Sequence, residues 1–268
     1  MNLLPASRLM ALLLPAAMLP AAAFAQGFAA YISPPRFEVQ AEAGKPLRQV
    51  LEIQHVGQQK GNYRVYTADW TFNPDNSVSF STELAPDSCR PWVALERREL
   101  SIEPGARYRF RFEISPPAGT PPRECRFALM VEGLDPAKVQ GNISFPVGGR
   151  IGVIVYAAIG GAAPQLSIST QQVVQVNGKP TATIDVRNTG NAHGRLEGFV
   201  NGTDAAGTQF EMSPADLPIL PGETRRVALS PVPENGKTAP EIRFPLSVKG
   251  SLEWGANRLP LDASFVAP

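Results

Sequence analysis

The sequence predicts an all-β protein made of two β-sandwich domains of the immunoglobulin-like kind. The 27 prolines and 23 glycines interrupt the chain often. Few segments show helical periodicity, and short alternating strands recur with turn signals about every 8–12 residues. The same succession of strands and turns also occurs twice along the chain.

The repeat is visible in two pairs of segments. Leu51–Gly57 matches Ile184–Gly190, and both are alternating strands that end in a glycine turn. Further along, Leu100–Gly105 matches Leu217–Gly222, and each Pro-Gly turn leads into another strand. Because the two motifs recur in the same order, they indicate two copies of one sandwich topology.

The N-terminal segment has the features of a secretory signal. Arg8 is the only charged residue in the first 25, an apolar stretch follows from Leu9 to about Ala22, and an A-x-A cleavage site ends at Ala25. The stretch is short and broken by two prolines, so we predict cleavage after Ala25 rather than a membrane anchor. No later segment has the length and apolarity of a span, so the mature chain is expected to be exported, without membrane insertion.

The domain boundaries follow from length and local composition. Removing 25 of the 268 residues leaves 243, which suits two domains of about 100–130 residues. A run of small residues from Gly160 to Pro164 is typical of a linker. We therefore predict a signal peptide at 1–25, a first domain at 26–160 and a second domain at 164–268.

The charge balance excludes some partners. Without Arg8, 24 basic residues face 24 acidic ones. A net charge of zero gives no overall attraction to nucleic acid or to anionic lipid. We therefore predict neither as a partner.

Two cysteines, Cys89 and Cys125, are present in a chain predicted to reach an oxidising compartment. Two such cysteines are expected to form one disulfide, worth roughly 3–4 kcal/mol in the chain-entropy model. Free reactive thiols are the alternative, although neither residue lies in a CxxC motif.

No catalytic pattern is present. The sequence lacks HExxH, GxSxG and P-loop motifs, and the two histidines, His55 and His193, have no metal-ligand spacing and are predicted to be turn residues. The three tryptophans are predicted to be core residues. We predict that the protein is not an enzyme and needs no metal or cofactor.

Two segments show a regular alternation of apolar residues that predicts strands. In residues 107–112, Tyr108, Phe110 and Phe112 are predicted to face the core and the three arginines to face outwards, either towards an acidic partner or towards neighbouring glutamates. Between Asn142 and Tyr156 apolar residues alternate in two sets that are separated by Gly148-Gly149. The sets are Ile143, Phe145 and Val147, then Ile151, Val153 and Val155.

The chain resembles the periplasmic chaperones of the chaperone–usher pathway, which assemble pili and fimbriae. The resemblance covers about residues 31–158, and the second domain matches only in general pattern. It rests on the order of three segments and on Arg150-Ile151, which resembles the start of the last strand of the family's first domain. The segments are residues 33–39 (SPPRFEV), 91–105 (PWVALERRELSIEPG) and 122–131 (PRECRFALMV), the last with Cys125 where the family has serine.

The resemblance implies a fold, a site and partners. Two domains in an L shape would hold, in the cleft between them, an arginine and a lysine that bind the C-terminal carboxylate of a pilus subunit. The arginine corresponds to Arg36. The lysine position falls on Gly152, and Arg150, two residues earlier, is the candidate replacement. The strand 143–155 would be the donor strand that completes the subunit's sheet at an edge, with one of its two alternating sets pointing into the subunit's groove. The alternative is a paired core strand of a closed sandwich.

These inferences predict a periplasmic chaperone. It would cap pilus or fimbrial subunits by donor-strand complementation and deliver them to an outer-membrane usher. Two other functions remain open: an exported adhesive or structural module without chaperone activity, and a hydrolase or polysaccharide-processing protein on a β-sandwich. For the hydrolase, the sequence offers no clustered carboxylates.

Overall fold

A computed structural model describes residues 28–135, 149–233 and 238–267. The predicted signal segment and the first alternating set, Ile143, Phe145 and Val147, lie outside these residues. Within them the chain forms seventeen strands and one short 3-10 helix, which confirms the predicted all-β fold. No helix in the described part is long and apolar enough to cross a membrane.

The first half of the chain forms ten strands in two sheets. One sheet has the order β1-β3-β8-β6, and the other has the order β2-β10-β9-β4-β5, with β7 paired to β4. The strands are β1 (Ala30–Ser33), β2 (Arg36–Ala41), β3 (Leu47–His55), β4 (Gly61–Phe72), β5 (Val78–Ser81), β6 (Val93–Leu95), β7 (Glu99–Ile102), β8 (Arg107–Ile114), β9 (Arg123–Gly133) and β10 (Arg150–Ile159).

Pro34 and Pro35 separate β1 from β2, which belong to different sheets. Proline has no N–H for a sheet ladder, so a Pro-Pro pair ends the pairing with β3. The chain then crosses to the second sheet, where β2 pairs in parallel with β10. This crossing places Arg36 at the start of an edge strand.

The core of the first sandwich follows the predicted alternation. In β8, Phe110 and Phe112 are buried, while Arg107, Arg109 and Arg111 are exposed. Arg107 Nη1 lies 3.1 Å from Glu52 Oε1, and Arg111 Nη1 lies 3.5 Å from Glu96 Oε2. Two of the three arginines are therefore paired with glutamates of the same domain, which favours the solvated face over an acidic partner.

Cys89 and Cys125 form the predicted disulfide, with their Cα atoms 5.8 Å apart. Cys125 lies in β9, and Cys89 precedes the 3-10 helix Arg90–Trp92. Both residues are buried in the first core. The bond therefore ties the loop after β5 to a central strand of the second sheet.

The second half of the chain forms one sheet of seven strands in the order β11-β12-β15-β14-β13-β16-β17. Its core includes Ile184, Met212, Leu229 and Phe265. The strands are β11 (Leu166–Val176), β12 (Lys179–Asn188), β13 (Val200–Thr203), β14 (Gln209–Pro214), β15 (Thr224–Pro231), β16 (Leu246–Trp254) and β17 (Asn257–Phe265).

The predicted linker lies between two separate cores. The first core cluster ends at Ile159 and the second begins at Leu166. Gly160 and Gly161 have φ values of 61° and 80°, in the left-handed region that favours glycine. The turn at this point therefore depends on the two glycines of the linker.

The prediction for the tryptophans is wrong in one case. Trp92 and Trp254 are half-buried and pack against the two cores. Trp70 instead lies in a small cluster with Ala68, Ala128 and Met130, apart from the main core. Trp70 and the core residue Val65 are separated by an odd number of positions in β4, so their side chains point to opposite faces of the sheet.

Candidate functional site

Arg36 contacts both domains of the protein. It is the first residue of β2 and is paired in register with Ile154 of β10. Its Nε donates to Glu38 Oε1 at 2.7 Å, and its Nη1 donates to Asp216 Oδ2 of the second domain at 3.3 Å. Its side chain stays 40% exposed, so the guanidinium retains a solvent-facing side.

Arg195 of the second domain completes an ion-pair cluster with these groups. Its Nη1 lies 2.7 Å from Asp216 Oδ1, and its Nε lies 3.2 Å from Glu38 Oε1. Arg195 is only 10% exposed, whereas Asp216 is 64% exposed. The two arginines thus share two carboxylates, and the Arg36–Asp216 and Arg195–Glu38 pairs join one domain to the other.

His193 lies next to this cluster and corrects the prediction that it is a simple turn residue. Its backbone N–H donates to Glu124 Oε2 at 3.0 Å, and its Nδ1 lies 2.5 Å from the same oxygen. Its ring stacks on Tyr156, with centroids 3.7 Å apart. His193 and Glu124 are 8% and 2% exposed, so this contact between the domains is dry.

His55, the other histidine, is also not a simple turn residue. It is buried at the end of β3, with Nδ1 2.5 Å from Tyr63 Oη and Nε2 2.5 Å from the Gln59 carbonyl oxygen. Its role is to satisfy buried polar groups within the first domain.

The surroundings of the cluster shift several pKa values. Hydrogen bonding to His193 and the nearby arginines hold the pKa of Glu38 at about 2. Burial raises the pKa of Tyr156 to about 12. For His193, burial lowers the pKa, but hydrogen bonds and attraction from Glu124 and Glu38 outweigh it, so the pKa lies above the usual value of 6.5. Opposite charges therefore stabilise the charged forms of Glu38 and His193, whereas burial favours the neutral form of Tyr156.

These pKa directions predict how the domain contact depends on pH. The charged form of His193 stabilises the folded state fully below pH 6.5, and this contribution is lost as pH rises through its raised pKa. The Glu38 contribution is present above pH 4.5 and is lost as pH falls towards 2. We therefore expect the melting temperature to fall as the pH rises above 6.5, and His193→Gln to reduce that fall. An identical pH profile for the variant, measured by calorimetry, would contradict this assignment.

A cleft of about 440 Å³ adjoins the cluster. Small residues, including Ala158, Ala162 and Ala192, form one part of its wall. The polar part includes Glu38, His193 and Arg195. The cleft could hold a charged chain end, but its cations already have carboxylate partners.

A second contact between the domains lies at the β4–β5 hairpin. Arg225 of β15 is 6% exposed, and its Nη1 donates to the Asn73 carbonyl oxygen at 3.2 Å and to Asn76 Oδ1 at 2.9 Å. Its guanidinium lies 3.9 Å from the centroid of the Phe72 ring, and it also pairs with Glu223. The hairpin of the first domain therefore holds a buried cation of the second.

The predicted anchor Arg150 does not lie beside Arg36. Arg150 is exposed at the start of β10, four residues before Ile154, which pairs with Arg36. At about 3.3 Å per residue this separates the two positions by about 13 Å along the sheet. Next to Arg36, β10 presents Ile154 and Tyr156. Arg150 is therefore wrong as a replacement for the family's lysine, and the cations near Arg36 come from the second domain.

Part of the predicted donor set is also wrong. Val153 and Val155 are fully buried in the core of the first domain, so they cannot also fill a groove in another protein. Ile151 is half-buried and packs against the same core. The donor role of Ile143, Phe145 and Val147 stays a prediction.

The backbone of β10 is paired on both sides only in its second half. Residues 154–159 pair with β2 on one side, and residues 150–159 pair with β9 on the other. Among the residues that the structure describes, no strand pairs with Arg150–Val153 on the β2 side. Within the described part of the chain, these four residues therefore lack a strand partner on that side, as at the edge of a sheet.

Sequence reasoning missed Glu124, Arg195, Asp216 and Arg225. Each lies far along the chain from its partner, for example 180 residues between Arg36 and Asp216. Each also looks like an ordinary surface charge in its own strand or turn. Only the packing of the two domains brings them together. Among the described residues no group of three or more His, Cys, Asp or Glu side chains could hold a metal ion.

The fold and site define a two-domain β-sandwich protein with an ion-paired cleft beside a strand, β10, whose first four residues have no strand partner on the β2 side among the described residues. No family model and no curated protein matches the sequence. In structure, the chain is similar to the class 5 fimbriae chaperone CfaA, with 13% identity, 89% of this chain and 100% of that chain covered, and a TM-score of 0.48.

Two further solved structures are also similar to the chain. The E. coli chaperone DraB has 12% identity, coverage of 89% and 98%, and a TM-score of 0.48. The CsuC–CsuE chaperone–tip adhesion subunit complex from Acinetobacter baumannii has 15% identity, coverage of 89% and 99%, and a TM-score of 0.45. At these identities and TM-scores, the function has to be argued from the site itself.

Proposed function

We propose that the protein is a periplasmic chaperone for secreted pilus or fimbrial subunits. It binds a subunit by strand addition at the open edge of β10, caps the subunit's incomplete sheet and delivers it to an outer-membrane usher. The observation that carries this proposal is the unpaired edge at Arg150–Val153. Such an edge invites another strand, because within the described residues no strand pairs with its N–H and C=O groups on the β2 side.

The sequence beside the edge fits the same function. The alternating run Ile143, Phe145 and Val147 precedes the edge directly, and alternate apolar side chains can fill a groove while the backbone pairs. Binding of this kind needs no ATP, metal or cofactor, because pairing and apolar burial supply the free energy. Export into the periplasm follows from the predicted signal peptide, cleaved after Ala25.

Arg36 is the proposed anchor for the subunit's C-terminal carboxylate. Its guanidinium is half-exposed and already holds Asp216, the most exposed carboxylate of the cluster. An incoming carboxylate can take the place of Asp216 without burying a new charge. Arg195, with its deeper position, then keeps the remaining carboxylates neutralised.

The experiment is co-expression with the small secreted β-proteins that neighbouring genes encode. We expect a one-to-one complex on size exclusion, with hydrogen exchange at residues 150–153 slowed only in the complex. Arg36→Ala should weaken the complex by roughly 10- to 100-fold, the value of one charge-assisted contact. The matched control is Arg109→Ala, because Arg109 is an exposed arginine of the other sheet. This variant should leave the affinity for the subunit unchanged.

Two observations favour the alternative of an exported structural or adhesive module. The cleft cations already have partners within the chain, and two predicted donor side chains belong to the core. If no neighbouring subunit forms a complex, or if the complex leaves residues 150–153 unprotected, the module is the better description.

A further inference from the structure

Phe80 lies over the open edge of the last strand of the first domain. It belongs to β5 and pairs with Trp70 of β4, yet its ring extends across the outer face of the sheet as far as Gly152 of β10. A Cβ atom added to Gly152 would lie 2.7 Å from Phe80 Cε1, and closer still to Cζ. The ring therefore occupies the space that a side chain at 152 would need.

The outer face of the sheet is shaped for this ring. Ala68, Ala128 and Met130 form a buried cluster there, and Phe80 and Ile154 pack around it. Two of the three buried residues are alanines, which leave room for the β4–β5 hairpin to fold over the sheet. The glycine at the position of the family's lysine thus has a structural reason.

A strand that joins the open edge would meet this ring. Directly opposed residues on neighbouring strands lie about 4.5–5.5 Å apart, so their side chains touch. Gly152 has no side chain for the joining strand to contact. The half-buried Phe80 ring occupies the space where that side chain would be. Arg150, exposed on the same face, is the next side chain that the joining strand would meet.

We propose that Phe80 determines which strand the edge accepts. The partner strand would carry an aliphatic side chain opposite Gly152 and an acidic side chain opposite Arg150. This rests on the proposed function, because it specifies the client of the same edge. It adds a residue outside the donor strand as a determinant of client choice.

The test compares Phe80→Ala with Val78→Ala, using the neighbouring-gene subunit that the wild type captures. Val78 lies on the same strand and is 40% exposed, so it controls for a general change in the hairpin. We expect Phe80→Ala to weaken subunit binding about tenfold, from the loss of one aromatic packing contact, and Val78→Ala to leave it unchanged. Equal affinities for wild type and Phe80→Ala would overturn the proposal.

Two further measurements separate the contact from a folding defect. Gly152→Ala should lower the melting temperature of the wild type, because the ring must move, but not that of Phe80→Ala. Replacing the subunit's aliphatic residue opposite Gly152 by serine should weaken binding to the wild type more than binding to Phe80→Ala. Each of these comparisons is a double-mutant cycle. If the effects of the two substitutions were additive in both cycles, Phe80 would not contact position 152 or the subunit's aliphatic residue, and the proposal would be contradicted. Failure of the wild type to capture any subunit would instead sink the proposed function.

Discussion

Val153→Asp is expected to unfold the first domain rather than to block client capture selectively. Val153 is fully buried in the core of the first domain. An unpaired carboxylate at that position should cost roughly 3–5 kcal/mol or more, a large fraction of the stability of a domain. Calorimetry and near-UV circular dichroism would measure the loss of the first domain's transition.

Arg150→Asp is the matched control for that variant. It places the same carboxylate three residues earlier in β10, on an exposed side chain. We expect its melting temperature to stay within a degree or two of the wild type. If Val153→Asp were as stable as this control, Val153 would not be a core residue, and it would return to the donor set.

Arg225→Ala is expected to loosen the contact between the domains. The variant loses two hydrogen bonds to the hairpin and a cation–π contact with Phe72, and it leaves Glu223 without its partner. For an arginine that is 6% exposed we expect a loss of about 3 kcal/mol, and unfolding in two separate transitions. Hydrogen exchange in residues 72–77 should become faster.

Arg226→Ala provides the control, one residue further along β15. Its side chain is 49% exposed and pairs with Asp185 of the same domain, so its loss should cost less than about 1 kcal/mol. A single cooperative transition in both variants, with unchanged exchange in the hairpin, would show that Arg225 does not couple the domains.

The two interdomain contacts differ in their chemistry, so we expect them to respond differently to pH. The cluster of Glu38, His193 and Arg195 includes groups that titrate near pH 2 and above pH 6.5. Arg225 contacts the hairpin of the first domain through a carbonyl, an amide and an aromatic ring, none of which changes charge in that range, and its carboxylate partner Glu223 lies in its own domain. The hairpin contact should therefore persist when the ionic cluster weakens.

Local patterns were sufficient for the fold of each domain. The alternation in residues 107–112 determined which side chains of β8 enter the core, because successive side chains of a strand point to opposite faces. The repeated strand–turn motifs indicated two sandwiches, and the two cysteines indicated one disulfide. The L-shaped arrangement stays a prediction.

Local sequence was enough to predict the all-β class, the faces of the regular strands and the disulfide, because each depends on neighbouring residues or on a simple count. The site was decided by tertiary structure. Because β2 pairs only with residues 154–159 of β10, no described strand pairs with Arg150–Val153 on that side, and the packing of the first core buried Val153 and Val155. The docking of the second domain gave Arg36 its carboxylate partner Asp216, 180 residues away. A contact between residues so far apart does not appear in the local hydrophobic pattern. Each of the two residues is compatible with its own strand or turn whether or not the other residue is present.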